Sequence, residues 1–186
     1  MSGPPPVPPV INPGVGGEKV KFDSKAIALT AVFAALYAVL VLALAGISFQ
    51  IVQVRVADAL IPLSIVFGWP AVLGVTIGGA VANIASPMPS AITDIALGSL
   101  ANFIASVAAW KIGASKIRKI LSEFLGCLTA TVLITFIVGT YLAWLTEVEL
   151  WIWWLGVGIG SIISITILGY ALVRILQRLT ATTSLT

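Results

Sequence analysis

The stretch ALIPLSIVFGWPAVLGVTIGGAVANIA, residues 59–85, carries no charged side chain and is broken once, at Gly68-Trp69-Pro70. Read as one segment it is a single long membrane span. Read as two it is a pair of short ones. Proline disfavours helix at the residue before it and starts helices well. The expected arrangement is therefore two short helices, over 57–68 and 70–85, sunk within a bundle of longer ones.

The rest of the chain supplies the longer ones. A bilayer core about 30 Å thick asks for about 20 apolar residues per helix. Ala26–Ala45, Phe124–Leu145 and Leu150–Val173 meet that length, and Ile95–Trp110 is shorter but free of charge. Of 186 residues 59% are hydrophobic and 9% charged, with a mean hydropathy of +1.11. A soluble domain carries about 25% charged residues, and a chain this short cannot hide so much apolar surface from water. The expected fold is all-α: an integral membrane bundle of six transmembrane helices over 25–179, multi-pass in the plasma membrane. A Pro/Gly-rich tail over 1–24 reads as disordered, and 180–186 as a short C-terminal tail. Prolines precede the first apolar run, so no cleaved signal peptide is expected.

Charge tests the six-span reading. With the N-terminus cytoplasmic, Lys19, Lys21, Lys25, Lys111, Lys116, Arg118, Lys119, Arg174 and Arg178 all fall inside, and Arg55 alone falls outside. This is the asymmetry of the positive-inside rule. Fusing the two short spans would carry the basic cluster at 111–119 to the opposite face. Both termini are therefore expected to be cytoplasmic.

Five charges remain at the outer helix ends: Arg55, Asp58, Asp94, Glu147 and Glu149. Acids at membrane depth usually face a bundle interior or a watery cavity. For Asp58 and Asp94 a second reading stays open, because each opens a predicted helix and Asp is a good N-cap. Arg55 and Asp58 stand three apart and can meet on a turn. Asn83, beside Ser86 and the outer loop 85–93, is read as facing a site; for Asn102 an interhelical hydrogen bond competes. Trp144, Trp151, Trp153 and Trp154 surround Glu147 and Glu149. They form either an interfacial aromatic belt or an acidic, stacking site for a flat ring bearing N–H donors. The segment ISFQIVQVRV, residues 47–56, is partly alternating and reads as an extended loop. Small residues four apart allow close helix contact. Such pairs occur at Ala31/Ala35 and Ala34/Ala38, at Gly74/Gly78 and at Gly156/Gly160. The glycine pairs read as internal packing, the alanines as a face for a partner subunit.

No enzyme signature is present: no HExxH, Gly-x-Ser-x-Gly or P-loop, and no His. No catalytic residue, metal site or cofactor is expected, and any energy for transport must come from elsewhere. The lone Cys127 permits no internal disulfide.

Three segments together resemble the queuosine-precursor transporter family, QueT: VQVRVADAL at 52–60, ANIASP at 82–87 and DIALGSLA at 94–101. The similarity spans about Lys25 to Arg178. It implies a substrate-binding (S) component of an energy-coupling-factor (ECF) importer: six helices, an outward cavity capped by the loop after helix 1, a membrane coupling subunit and two cytoplasmic ATPase subunits. The implied substrate is a 7-deazaguanine such as preQ1, 7-aminomethyl-7-deazaguanine. The family position of Asp58 is usually Glu, one methylene longer. The candidate site set is Arg55, Asp58, Asn83, Ser86, Asp94, Asn102, Trp144, Glu147 and Trp151. The candidate face for the coupling subunit is Ala31, Ala34, Ala35 and Ala38. An S component for another vitamin or nucleobase-like ligand, or a non-transporting membrane assembly protein, are the competing readings.

Overall fold

The structure, a computed structural model, describes residues 23–115 and 118–183, the last four by backbone alone. The tail before residue 23, with Glu18, Lys19 and Lys21, lies outside the described residues, as do Lys116 and the chain end from 184. The described chain is helical throughout, with no strand. In chain order it forms α1 (Ser24–Ala43), a short α2 (Ala45–Ser48), a 3-10 helix (Val56–Leu63), α3 (Ser64–Phe67) and α4 (Trp69–Asn83). These are followed by α5 (Ala91–Gly113), α6 (Lys119–Thr146) and one continuous irregular helix. That helix comprises α7 (Leu150–Ser161), a π-helical stretch (Ile162–Gly169) and α8 (Tyr170–Thr183).

Four of these segments are long and apolar enough to cross a membrane: Ser24–Ala43, Ala91–Gly113, Lys119–Thr146 and Leu150–Leu179. The two short apolar helices expected from residues 59–85 are also present, as Val56–Phe67 and Trp69–Asn83. The break between them is a glycine turn. Gly68 sits at φ 61°, in the left-handed region, and Pro70 lies in the first turn of α4. Only glycine adopts that φ without strain.

The first short helix differs from expectation in kind. An α-helix was expected over 57–68, and most of it is wound as 3-10. Pro62 lies inside it. Proline has no amide proton and its ring clashes with the carbonyl four residues back, so an α ladder fails here. The tighter winding also gains length. At about 2.0 Å per 3-10 residue and 1.5 Å per α residue, Val56–Phe67 reaches roughly 22 Å.

This helix is the centre of the molecule. Residues 57–64 are all buried, and the helix packs against α1, α4, α5, α6, α8 and the π-helical stretch. A helix that is apolar all round is a buried one. Around it α4 packs on α1 and α5, α5 on α6, and α6 on α7. The Gly74/Gly78 pair lies against α1: a Cβ on Gly78 would overlap the Ala34 carbonyl and the Tyr37 Cβ. Of the alanines assigned to a partner face, Ala31 and Ala35 are exposed, Ala34 is half-buried and Ala38 is buried. Ala31 and Ala34 line an open apolar groove of about 510 Å3 with Ile27, Thr30, Leu73 and Ile77.

Replacing Gly78 by valine forces α4 away from α1. The expected outcome is a loss of roughly 1–3 kcal/mol of stability, the usual cost of overpacking, read as a lower melting temperature in detergent.

Candidate functional site

Polar side chains from five segments converge on the upper part of the central 3-10 helix. Asp58 lies in its first turn and is 6% exposed; Tyr37 of α1, fully buried, donates its hydroxyl proton to Asp58 Oδ1 at 2.5 Å. Asp94, in the first turn of α5, is 2% exposed and accepts at Oδ1 from the Tyr141 hydroxyl of α6 at 2.6 Å. Asn83, the last residue of α4, donates from Nδ2 to the Asp94 carbonyl at 2.9 Å. Asn102, two turns further along α5, donates to the Val75 carbonyl at 3.2 Å. Each carboxylate thus takes one tyrosine from a different long helix.

Arg55 ends the loop after α2. It is 6% exposed, and its guanidinium lies 5.3 Å above the Phe49 ring. No direct salt bridge joins it to either carboxylate among the described residues. Burial opposes its charge, but Tyr37, Asp58, Tyr141 and Asp94 all act in favour of it and prevail, so its pKa is raised above the ordinary arginine value. These four groups and Arg55 therefore share one electrostatic environment.

Two glycines open the room for the amides. A Cβ on Gly98 would overlap Asn83 Nδ2 and approach the Tyr141 hydroxyl. A Cβ on Gly79 would lie 2.6 Å from Asn102 Nδ2. The cluster keeps three buried polar atoms without a partner: Arg55 Nε, Asn83 Oδ1 and Asp94 Oδ2. One is a donor and two are acceptors. An unpaired buried polar group costs about 1–3 kcal/mol, and native structures keep few of them.

The capping alternative is resolved by this geometry. The N-cap of α5 is Ser90, whose hydroxyl accepts from the Thr93 amide, and Asp94 spends its carboxylate on Tyr141. The 3-10 helix has no side-chain cap, and Asp58 turns inward to Tyr37.

Other predicted site residues lie apart. Ser86 is half-buried and accepts from the Met88 amide at 3.3 Å, holding the loop between α4 and α5. Trp144 is 74% and Trp151 59% exposed, and Glu147 is exposed as well. Trp144 and Glu147 line an open groove of about 500 Å3 with Val148, Glu149 and Leu150. The structure does not bring them to the buried cluster, and their surface position is the one the interfacial-belt reading expects. Tyr37 and Tyr141 are the members that the sequence did not single out. Their signal was the hydroxyl itself: a tyrosine deep in an apolar helix needs a hydrogen-bond partner.

The described residues hold no group of three or more metal-ligating acids, histidines or cysteines.

A family model described as QueT transporter matches residues 27–178. No curated protein and no solved structure matches the chain.

Tyr141→Phe leaves both Asp94 carboxylate oxygens without a donor. It is expected to cost about 1–3 kcal/mol, visible as a lower melting temperature of the solubilised protein. Tyr170→Phe, at a tyrosine whose ring stacks edge-on against Phe124, is expected to leave the melting temperature nearly unchanged.

Proposed function

This chain belongs to the QueT transporter family, and on that premise we propose that it is the substrate-binding S component of an ECF-type importer for a 7-deazaguanine queuosine precursor. Family membership makes it a membrane transport protein with a small-molecule substrate, rather than an enzyme. In the proposal the bundle crosses the plasma membrane six times with both termini cytoplasmic, and the short Val56–Phe67 and Trp69–Asn83 helices count as spans. A coupling subunit docks on the α1 face near Ala31, Ala34, Ala35 and Ala38, and two ATPase subunits supply the energy.

The observation that carries the substrate assignment is the trio of unpartnered atoms. A guanine-type ring presents one carbonyl acceptor, one ring N–H donor and one amino donor along a single edge. Arg55 Nε, Asp94 Oδ2 and Asn83 Oδ1 are one donor and two acceptors, the complement of that edge. The aminomethyl arm of such a substrate is cationic, and Asp58 is the second carboxylate within the same environment. Tyr37 and Tyr141 supply aromatic faces for the ring. The binding set proposed is Arg55, Asp58, Asn83, Asp94 and Asn102 with the two tyrosines. Ser86 shapes the adjoining loop, and Trp144, Glu147 and Trp151 border the outer surface.

The test is thermal stabilisation of the solubilised protein across 7-aminomethyl-7-deazaguanine, guanine, riboflavin and biotin, since a ligand that binds only the folded state raises stability by mass action. Stabilisation by the deazaguanine above the others is expected. Asp94→Asn is expected to weaken that binding at least tenfold, because a charge-assisted hydrogen bond contributes roughly 1.5–3 kcal/mol. No stabilisation by the deazaguanine, or unchanged uptake by the Asp94→Asn variant in a strain dependent on salvage, overturns the reading.

A further inference from the structure

A groove of about 320 Å3 opens between the first turns of α6 and the start of α8. Its apolar wall is Ile120, Leu121 and Phe124 of α6, and its polar lining is Arg118 and Tyr170. Tyr141, which holds Asp94, stands about 30 Å up α6 from Leu121, at 1.5 Å per residue. The groove is therefore at the other end of the bundle from the polar cluster.

The two kinds of lining differ in what they lack. Ile120, Leu121 and Phe124 are all exposed, an apolar strip with no helix laid over it. The polar pair is unspent. Arg118 is exposed, and among the described residues its side chain makes no ion pair or hydrogen bond. The Tyr170 ring is fixed edge-on against Phe124, centroids 5.8 Å apart, but its hydroxyl makes no hydrogen bond among the described residues. No acid lines the groove. Glu123, next to Phe124 on α6, is wholly buried and is met at 3.2 Å by Arg174, one turn beyond Tyr170 on α8. That pair cancels, so Arg118 and Lys119 set the sign of the rim. α6 also begins here without a side-chain cap, and the positive end of its dipole adds to both.

We propose that this groove binds a phospholipid with an anionic headgroup. The phosphate meets Arg118 and the Tyr170 hydroxyl, and an acyl chain lies along Ile120, Leu121 and Phe124. Charge complementarity selects the headgroup: a zwitterionic lipid brings an ammonium to a rim that is already positive and offers no carboxylate. The apolar wall selects a lipid over free phosphate, which leaves that wall uncovered. Basic pockets between membrane helices on the cytoplasmic side take anionic lipids, and in the orientation proposed above this end is the cytoplasmic one. A lipid seated here bridges α6 and α8. The proposal stands whatever the transported substrate is.

The test titrates the solubilised full chain with phosphatidylglycerol, phosphatidylcholine and inorganic phosphate. Melting temperature and native mass spectrometry, which counts retained lipids, are read for each. Phosphatidylglycerol is expected to raise the melting temperature and to be retained at one per chain, and the other two to do neither. Arg118→Gln is expected to weaken phosphatidylglycerol binding roughly fivefold. Tyr170→Phe, which removes only the hydroxyl, is expected to weaken it roughly threefold. Lys111→Gln is the control. It deletes the same charge from the last turn of α5, where the ammonium lies 5.0 Å over the Trp110 ring and outside the groove, and is expected to leave binding unchanged.

Equal weakening by Arg118→Gln and Lys111→Gln overturns the proposal, because the lipid then senses overall charge and not a site. Equal stabilisation by phosphatidylcholine or by inorganic phosphate overturns it too. So does a dimer without retained lipid, which would make a second copy the occupant. Should Arg118→Gln fail to fold, Tyr170→Phe decides: unchanged retention of phosphatidylglycerol in that variant rejects the site.

Discussion

A carboxylate at the centre of an apolar bundle is the constraint from which the rest of this structure follows. Asp58 lies in a helix whose neighbours on every side are buried. An ionised carboxylate there is unaffordable alone and is retained only with hydrogen-bond donors and a counter-charge. Tyr37 provides the donor, and the buried Arg55 stands at the start of the same 3-10 helix without a direct salt bridge to Asp58. For Tyr37 to reach Asp58, α1 must lie tight against the central elements. The glycines of α4 permit that, since methyl groups at Gly74 and Gly78 would overlap α1 at Phe33 and at Ala34 and Tyr37. A polar requirement at one atom thus sets the spacing of two helices.

The second carboxylate repeats the solution on the other side. Asp94 takes its tyrosine from α6, and its backbone carbonyl engages Asn83 at the end of α4. Gly98, one turn along α5 from Asp94, leaves the space in which Asn83 and Tyr141 meet. The donors that fix each acid are themselves on long, packed helices, so in the proposed binding site the carboxylates are held in place in advance. Such pre-organisation lowers the cost of binding. Arg55 is the exception, because it is carried on a loop. The cluster therefore divides into a part built on α1, α4, α5 and α6, and one charge carried on the loop that enters the 3-10 helix.

Hydropathy made the bundle legible, and Gly68-Trp69-Pro70 made the break in residues 59–85 legible, because both depend on composition and on local backbone rules. The 3-10 winding was not legible: a single proline in an apolar run signals a fault in an α-helix without saying what replaces it. Arg55, Asp58, Asn83, Asp94 and Asn102 stood out as polar atoms in apolar runs, and they converge. Tyr37 and Tyr141 were passed over because an aromatic ring in such a run reads as core. Trp144, Glu147 and Trp151 lie apart from that cluster. Their closeness along the chain suggested a cluster, but the turn between α6 and α7, where Glu147 takes a left-handed φ of 56°, leaves them exposed. For Asp94 the sequence left capping and a site role both open, and the cap of α5 is Ser90, four residues earlier.

The irregular last helix follows from the same geometry. Gly156 and Gly160 receive the loop, and Gly169 receives the 3-10 helix at Ala59 and Pro62. Loop and 3-10 helix are one continuous stretch of chain, so these three glycines must face the same way. From 160 to 169 is nine residues. In an α-helix of 3.6 residues per turn that is two and a half turns, which would point Gly169 at the opposite side. The chain between them is instead a π-helix over Ile162–Gly169. A π-helix winds more widely, at roughly 4.4 residues per turn, so nine residues complete about two turns and restore the face. Further along the same helix Arg174 meets the buried Glu123 of α6 at 3.2 Å. One helix thereby supports the loop that carries Arg55, the turn that carries Asp58, and the ion pair at the far end of the bundle.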